Sequence, residues 1–135
     1  MILQVGVKIF LKNRDGKYLI VKRSQEKYKG LNGNWDIVGG RIDIGSKLID
    51  NLRREVMEET ELKITSEPVL IFAQDIIPNE EKHVVRLSYL GETEGEPVLD
   101  FSENVEYKWM TIEEMKKQDD LDVYVREILE KCVLD

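Results

Sequence analysis

The stretch Gly40–Leu62, GRIDIGSKLIDNLRREVMEETEL, decides the fold class, because it joins a glycine turn to an acidic amphipathic segment. Leu48 and Leu52 are part of an apolar repeat at helical spacing, which predicts a helix over Ser46–Thr60. Ser46 is a good N-cap type, so we expect its side chain to cap the helix. The apolar stripe predicts that one face of this helix is buried.

Three glutamates of the predicted helix lie beside that buried face. Glu55, Glu58 and Glu59 stand at i, i+3 and i+4, so their side chains share an arc of about 100°. Such like charges repel unless a cation neutralises them, and Mg²⁺ prefers carboxylate oxygens together with phosphates and water. Arg54 adjoins the cluster and can orient one carboxylate through a forked hydrogen bond. The alternative is an ordinary solvated helix face.

A pair of glycines, Gly39-Gly40, precedes the helix and follows a short predicted strand. Paired glycines permit positive φ and the close approach of another group to the backbone. A backbone carbonyl can thereby lie beside the carboxylates as one more oxygen ligand. An isolated pair would indicate only a tight turn, whereas its fixed spacing from the acidic helix favours a ligand site.

Composition excludes several classes of protein. The chain has 135 residues and a formal charge of −7, which argues against a nucleic-acid polymer as partner. An acidic chain that acts on anionic substrates needs a metal ion to supply positive charge. The one cysteine, Cys132, excludes an intrachain disulfide framework and fits a reducing compartment. Lys8 interrupts any signal-peptide pattern, and the longest strongly apolar run, Val69–Ala73, is too short for a bilayer. We expect a cytoplasmic protein with no membrane partner.

The remaining pattern indicates a single α+β domain over residues 1–135, with a mixed β-sheet between helices. Thr111 and Glu114 have capping-box spacing, which predicts a short helix after the last strand. A final amphipathic helix is expected over Leu121–Val133. The predicted strands are Leu3–Leu11, Lys17–Arg23, Trp35–Val38, Ile64–Ile77, His83–Glu92 and Val105–Met110.

The quoted stretch resembles the signature of the Nudix hydrolases, as found in MutT-like proteins. That signature reads Gly, five residues, Glu, seven residues, then Arg-Glu-aliphatic-any-Glu-Glu-any-Gly-aliphatic. The resemblance implies the α/β/α sandwich of that family, and the flanking elements agree with it over nearly the whole chain. The residues that match in register are Gly40, Arg54, Glu55, Val56, Glu58, Glu59 and Leu62.

Three positions depart from the family pattern. Ser46 replaces the first glutamate of the signature, which removes a carboxylate that commonly supports the metal and its water. Glu61 replaces a glycine near the end of the helix, where a left-handed conformation costs a non-glycine residue about 1 kcal/mol or more. We therefore expect a different local turn at Glu61. Val38 stands where the family carries a proline before the glycine pair.

The resemblance implies a metal centre and the residues that form it. Glu55 and Glu59 are the implied ligands, Glu58 is a ligand directly or through water, and the Gly40 carbonyl is a further oxygen. Arg54 is implied to orient Glu55. The implied cofactor is Mg²⁺, with Mn²⁺ as an alternative. The metal would neutralise a diphosphate and acidify a bound water.

The general base is left open among three glutamates. Family members differ in whether the base lies within the signature or on a later loop. Glu55 is the first candidate, for a role shared with metal binding. The later-loop alternatives are Glu103 and Glu106, which precede Trp109. The other interpretation of both is ordinary surface charge.

Other candidate substrate contacts lie around the glycine pair. Arg23 ends a strand where a phosphate can be met, although a solvated strand end explains it equally well. Trp35 can stack on a base or sugar, or belong to the core. Gly39 permits close approach of a ligand. Tyr28 and Lys29 can close over a ligand, and the polarity of the loop predicts them equally well.

The expected function is Mg²⁺-dependent pyrophosphohydrolysis of a nucleoside diphosphate linked to another group. A nucleoside triphosphate is the first expected substrate, followed by ADP-ribose or a nucleotide sugar. The alternative is a catalytically weak or inactive nucleotide-binding module, which the departures at Ser46 and Glu61 motivate. The chain is expected to be a monomer or a homodimer, because the final helix can pack on the sheet or on a second subunit.

Overall fold

The computed structural model describes residues 1–26 and 33–134. The strands are β1 (Ile2–Lys12), β2 (Tyr18–Arg23), β3 (Trp35–Asp36), β4 (Val38–Arg41), β5 (Val69–Asn79), β6 (Lys82–Glu92) and β7 (Asn104–Met110). The helices are α1 (Leu48–Thr60), α2 (Ile112–Lys116) and α3 (Val123–Lys131).

The sheet divides between β1 and β2. Strand β1 pairs in parallel with β6 along its whole length and antiparallel with β4, while β6 also carries β5 as an outer strand. Strand β2 pairs with β3 and β7. Between β1 and β2 the backbone register contains only the pair Lys12 and Tyr18, next to their connecting turn. The two strands therefore diverge beyond that pair and leave an opening in the sheet.

Helices cover opposite faces of the sheet. On one face, Leu52 and Val56 of α1 pack with Val7, Ile9 and other side chains of β1 and β2. On the other face, apolar residues of α3 pack against a second cluster of the same strands. That second cluster contains Phe10, Tyr18, Ile20, Val125, Ile128 and Leu129. This arrangement confirms the predicted α+β fold with a mixed sheet between helices.

Helix α1 begins later than predicted, and the expected Ser46 cap is wrong. The N-cap residue is Lys47, and no side chain caps the helix. The Ser46 N–H donates to the Asp43 carbonyl oxygen at 3.0 Å, which closes a turn before the helix and keeps Ser46 outside it. At the other end, Glu61 adopts φ 57° and ψ 15°. The expectation of a different turn is also wrong, because Glu61 takes the left-handed conformation itself.

The strand after α1 is shifted toward the C-terminus relative to the prediction. Ile64 lies outside β5, which starts at Val69 directly after Pro68, a residue that cannot donate a backbone hydrogen bond. Pro78 lies within β5, although the predicted strand ends at Ile77. In the sheet formed by the described residues β5 pairs only with β6, and an edge strand tolerates proline because the N–H groups on its outer side take no part in the ladder.

The C-terminal elements agree with the predicted capping. The Thr111 hydroxyl accepts from the Glu114 N–H, and the Glu114 carboxylate accepts from the Thr111 N–H, which completes the capping box. Helix α3 begins at Val123, with the Asp122 side chain as its N-cap. None of the helices in residues 1–26 and 33–134 is both long enough and apolar enough to span a membrane.

Candidate functional site

A cavity of about 460 Å³ occupies the opening between the diverging strands. Its walls come from β1 and β4 on one side, from β2 and the start of β7 on the other, and from residues before α3. The lining residues that bear charge are Lys8, Arg23, Asp36, Arg41, Glu59, Lys82, Arg86, Glu103 and Asp122.

Glu59 is a buried carboxylate on this cavity. It is 8% exposed, and its Oε1 accepts a hydrogen bond of 3.1 Å from Asn104 Nδ2. Burial raises the pKa of Glu59 to about 7, against the opposing effects of Lys8 and Asn104 and with additional repulsion from Glu55 and Glu103. Its Oε2 has no hydrogen-bond partner within the described residues. Glu59 therefore has one buried oxygen that no donor of the described residues satisfies.

Glu55 reaches strand β4 because residue 40 is glycine. A Cβ atom at Gly40 would lie 2.8 Å from both Cδ and Oε2 of Glu55. Burial raises the pKa of the Glu55 carboxyl, and the neighbouring Arg54 opposes that shift. Glycine 40 thus permits a carboxylate of α1 to lie against the backbone of β4, as the sequence spacing predicts.

Residue 39 has to be glycine for a different structural reason. At φ 150°, a Cβ atom on this residue would lie 2.0 Å from the carbonyl oxygen of Val7. Only glycine permits this close pairing of β4 with β1, which fixes the backbone position of Gly40. Gly39 lines the cavity as well.

Arg54 connects two glutamates of α1. Its Nη1 donates to both carboxylate oxygens of Glu58, at 3.0 and 2.9 Å. Its Nη2 donates to Glu55 Oε1 at 3.1 Å and to Asp43 Oδ2 at 3.0 Å. Arg54 is therefore placed as expected for orienting Glu55. It also holds Glu58, whose side chain is largely exposed, toward itself.

The carboxylates of α1 are the kind of ligand that a divalent cation prefers. As they are placed in this structure, they would not complete the coordination of such an ion. Within residues 1–26 and 33–134, no group of three His, Cys, Asp or Glu side chains converges closely enough to hold a metal ion. The free Oε2 of buried Glu59 and the neighbouring Glu55 are hard oxygen donors of the kind that Mg²⁺ prefers. Glu58 would join them only after it releases Arg54.

A second set of charged residues, which we call the ion-pair cluster, was not identified from the sequence. Asp36 accepts from Lys8 Nζ at 2.9 Å, Arg23 Nη2 at 2.7 Å and Arg86 Nη2 at 3.0 Å. Asp122 pairs with Arg23 and lies 3.5 Å from Arg86 Nη1. Burial alone would raise the pKa of Asp36, but the three cations outweigh it and hold that pKa far below its usual range.

The sequence gives one indication of the ion-pair cluster, which is the presence of charged residues among the apolar residues of two strands. Lys8 stands between Val7 and Ile9, both completely buried, and Arg86 lies in a strand whose neighbouring side chains are mostly apolar. A charged residue at such a position needs a buried partner. The pattern thus predicts that partners exist, but it does not identify Asp36 or Asp122.

Of the other residues predicted to contact the substrate, some line the cavity, and others lie on the protein surface or in the apolar core. Arg23 and Glu103 line the cavity. Trp35 is buried in the apolar cluster beneath α3, with Lys108 Nζ 4.6 Å from its ring centroid, so the structure gives the stacking role no support. Glu106 is exposed on β7 opposite Lys22 and is not among the cavity residues. Tyr28 and Lys29 lie outside the described residues.

Comparisons with known proteins agree with this geometry. A family model described as the NUDIX domain matches residues 2–132. The chain is similar to the structure of a MutT protein from Methanosarcina mazei Go1, at 25% identity and a TM-score of 0.80, over 96% of this chain and 91% of that one. A MutT NUDIX hydrolase from Burkholderia pseudomallei has the same fold, at 24% identity and a TM-score of 0.80, over 98% and 100% of the two chains. No match was found among curated proteins. The family match over nearly the whole chain shows that this protein belongs to the Nudix family and is a Nudix hydrolase.

Proposed function

We propose that this protein is a Mg²⁺-dependent pyrophosphohydrolase that cleaves the diphosphate bond of a nucleoside diphosphate linked to another group. A nucleoside triphosphate is the first expected substrate, followed by ADP-ribose or a nucleotide sugar. The observation that carries the proposal is the free Oε2 of buried Glu59, close to Glu55 and Gly40 on the cavity wall. A buried carboxylate oxygen without a partner is rare unless a ligand uses it.

In this proposal, residues at the junction of α1 and β4 hold the metal ion. Glu55, Glu59 and the Gly40 carbonyl supply oxygens, and Glu58 contributes after leaving Arg54. When bound, Mg²⁺ neutralises the diphosphate and lowers the pKa of a water ligand. Mn²⁺ has a similar preference for oxygen ligands and is the alternative ion.

The chain's own residues would position the reacting groups. Arg54 fixes Glu55 through its Nη2 contact, so that the Glu55 carboxylate is held in one orientation. Glu55 is our first candidate to accept a proton from the attacking water. Glu103 lines the same cavity and raises the pKa of both Glu55 and Glu59, so it is the alternative base.

The charge of the cavity supports an anionic substrate. Five Lys and Arg side chains line it against four Asp and Glu side chains. The whole chain has the opposite balance, with 20 basic and 27 acidic residues. The cavity lining therefore lacks the acidic excess of the whole chain, which reduces the repulsion of approaching phosphate groups.

A nucleotide-binding module with weak or no turnover is the second candidate. Ser46 lacks the carboxylate that the family signature has at that position. Glu58 is paired with Arg54, and in the described part of the chain it forms no metal-holding group of three with Glu55 and Glu59. This candidate predicts nucleotide binding without phosphate release.

The test is phosphate release, with pyrophosphatase or phosphatase coupling, from nucleoside triphosphates, oxidised triphosphates, ADP-ribose, nucleotide sugars and a dinucleoside polyphosphate. We expect release with Mg²⁺ and none with EDTA. Glu55→Gln should lower kcat by at least about a hundredfold if Glu55 is both ligand and base. Gly40→Ala should displace the Glu55 carboxylate and lower kcat, with little change in melting temperature, because the added methyl meets only a side-chain end.

Glu130→Gln, a neutralised glutamate on the exposed surface of α3, is the matched control and should retain activity. Wild-type turnover by Glu55→Gln would refute the assignment of the site. Nucleotide-induced thermal stabilisation without release from any compound would favour the binding module.

A further inference from the structure

Lys82, at the start of β6, carries a positive charge on the cavity that no acidic side chain balances. The residue is half-buried, so it is partly open to solvent, and it lines the cavity together with Val84 and Arg86 of the same strand. Within residues 1–26 and 33–134, the Lys82 ammonium has neither a hydrogen-bond acceptor nor an ion-pair partner. Its three donor hydrogens therefore lack an acceptor from the protein.

Lys82 differs in this respect from the other four cations of the cavity lining. Three of them, on β1, β2 and β6, contact the carboxylate of Asp36 in the ion-pair cluster. The fourth, Arg41, donates from its Nε to Gln4 Oε1 at 3.3 Å. An anionic group of a ligand would compete with existing contacts at each of these four side chains, whereas at Lys82 it would meet an unpaired charge.

Lys82 lies at the end of the cavity that is distant from Gly40. Gly40 pairs with Val7 on β1, and Val7 pairs with Leu87 on β6. Lys82 precedes Leu87 by five residues, so its Cα atom lies about 17 Å away along the strand. An extended lysine side chain spans only part of that distance. Lys82 would therefore not meet a diphosphate that is bound between Gly40 and Glu59.

Apolar side chains line the cavity close to Lys82. Val84 follows Lys82 by two residues on β6, so the two side chains lie on the same face of the strand. Val84 pairs with Ile76 on β5, and both residues line the cavity. Tyr124 of α3 adds an aromatic residue to the same lining. A group attached to the diphosphate would thus pass an apolar stretch of the cavity before it reached the ammonium.

We propose that Lys82 determines substrate specificity by binding an anionic oxygen on the sugar that the nucleoside diphosphate carries. This inference rests on the proposed function and narrows its sugar-linked branch to sugars with a negative charge. The anionic oxygen has two sources, a carboxylate of the sugar and a phosphoryl group on the sugar. A neutral hydroxyl at the same place would accept a weaker hydrogen bond from the ammonium than a charged oxygen does.

Two matched pairs of compounds separate these sources. UDP-glucuronate and UDP-glucose differ only in the carboxylate that replaces a hydroxymethyl group. ADP-ribose 1″-phosphate and ADP-ribose differ by one phosphoryl group on the terminal ribose. We expect the wild-type protein to favour the anionic member of one pair by about tenfold in KM, since a hydrogen bond between charged groups is worth roughly that factor. The preference should shrink at high salt, which screens the charges.

Lys82→Met is the test variant, because it keeps an unbranched apolar side chain and removes the ammonium. It should bring the KM ratio of the favoured pair close to one. Lys82→Arg returns a positive charge and should restore the preference. Lys22→Met makes the same substitution at a half-buried lysine of β2 that is not among the cavity residues. That control should keep the wild-type ratio.

Equal KM values within both pairs for the wild-type protein would overturn the proposal without any variant. A ratio that survives in Lys82→Met would also overturn it, because the selecting charge would then lie elsewhere. If no compound is hydrolysed, the same pairs are compared by calorimetric binding with Mg²⁺ present. A binding preference that Lys82→Met abolishes and Lys22→Met keeps would sustain the Lys82 inference while the proposed hydrolysis fails. Equal affinities, or no binding of either pair, would overturn the inference.

Discussion

The cavity carries two kinds of carboxylate, and their environments differ more than their burial does. Asp36 is 2% exposed and Glu59 is 8% exposed. Burial acts to raise both pKa values, yet that of Asp36 is held far below its usual range and that of Glu59 rises to about 7. Among the described residues, Asp36 contacts three cations, whereas the oxygen atoms of Glu59 have one neutral donor, Asn104.

The comparison teaches that the number of contacting cations, and not burial, separates a structural carboxylate from one available to a ligand. Asp36 is saturated, so it can hold Lys8, Arg23 and Arg86 in place and can do little else. Glu59 is under-coordinated, so it gains from any cation that arrives. Three predictions follow in order of the expected effect on stability. The first two test this distinction, and the third concerns an exposed carboxylate outside it.

Neutralising Asp36 should have the largest effect. Asp36→Asn leaves three cations around a neutral group, and loss of a buried partner of this kind costs about 3–5 kcal/mol of unfolding free energy. Urea unfolding at pH 7 measures it. The matched control is Asp75→Asn, which removes a largely exposed carboxylate paired with His83 and should cost less than about 1 kcal/mol. Equal losses in both variants would contradict the distinction.

Neutralising Glu59 should change the pH dependence of stability. With EDTA present, the folded protein keeps a proton on Glu59 up to a pKa of about 7, whereas the pKa of a free glutamate side chain is 4.5. The folded state therefore binds more protons, and Glu59 makes the protein less stable as the pH rises from about 4.5 to 7. The contribution is of order 3 kcal/mol across that window.

Glu59→Gln should flatten that slope, as measured by urea unfolding at pH 5 and pH 8. Mg²⁺ should stabilise the wild-type protein more at pH 8 than at pH 5, because the metal binds the ionised form. Asp36 acts with the opposite sign, since its lowered pKa costs stability only as the pH falls below the usual range of an aspartate. An identical pH slope in Glu59→Gln would place the titration elsewhere.

A substitution of Glu61 should have the smallest effect on stability. Its carboxylate is exposed, so it resembles neither the ion-paired Asp36 nor the under-coordinated Glu59. Its φ of 57° disfavours a side chain, so Glu61→Gly should stabilise the protein by about 1 kcal/mol. Asp120, at φ 59°, is the matched comparison, but its carboxylate accepts a 2.6 Å hydrogen bond from Asn34. Asp120→Gly should therefore gain less, and thermal melting of both variants checks the order. A larger gain from Asp120→Gly would contradict it.

The predictable part of the site is the part that is local in sequence. Arg54, Glu55, Glu58 and Glu59 share one helix, so helical spacing alone predicts their proximity. Gly40 lies fifteen residues before Glu55, and this spacing from the acidic helix favours a ligand site over an ordinary tight turn. The general order of strands and helices was predicted for the same reason, since each element has its own apolar period.

The part that the sequence did not reveal depends on contacts between distant segments. Arg23 and Asp122 are 99 residues apart, and Arg86 and Asp36 are 50 residues apart. No local period relates such residues, so the ion-pair cluster became visible only with the strand register. The prediction of a Ser46 cap is wrong for a local reason. The Ser46 N–H closes a turn with the Asp43 carbonyl oxygen, and that turn keeps Ser46 out of the N-cap position.

The single backbone pair between Lys12 and Tyr18 has a consequence for how this protein can diversify. One wall of the cavity belongs to the ladder of β1, β4, β5 and β6, and the other belongs to the ladder of β2, β3 and β7. Because β1 and β2 share that one backbone pair, a substitution or insertion in β2 or β7 can widen or reshape the cavity while Gly40 keeps its register on β1. Selection can therefore retune which compound fits while the proposed metal-binding residues are inherited unchanged.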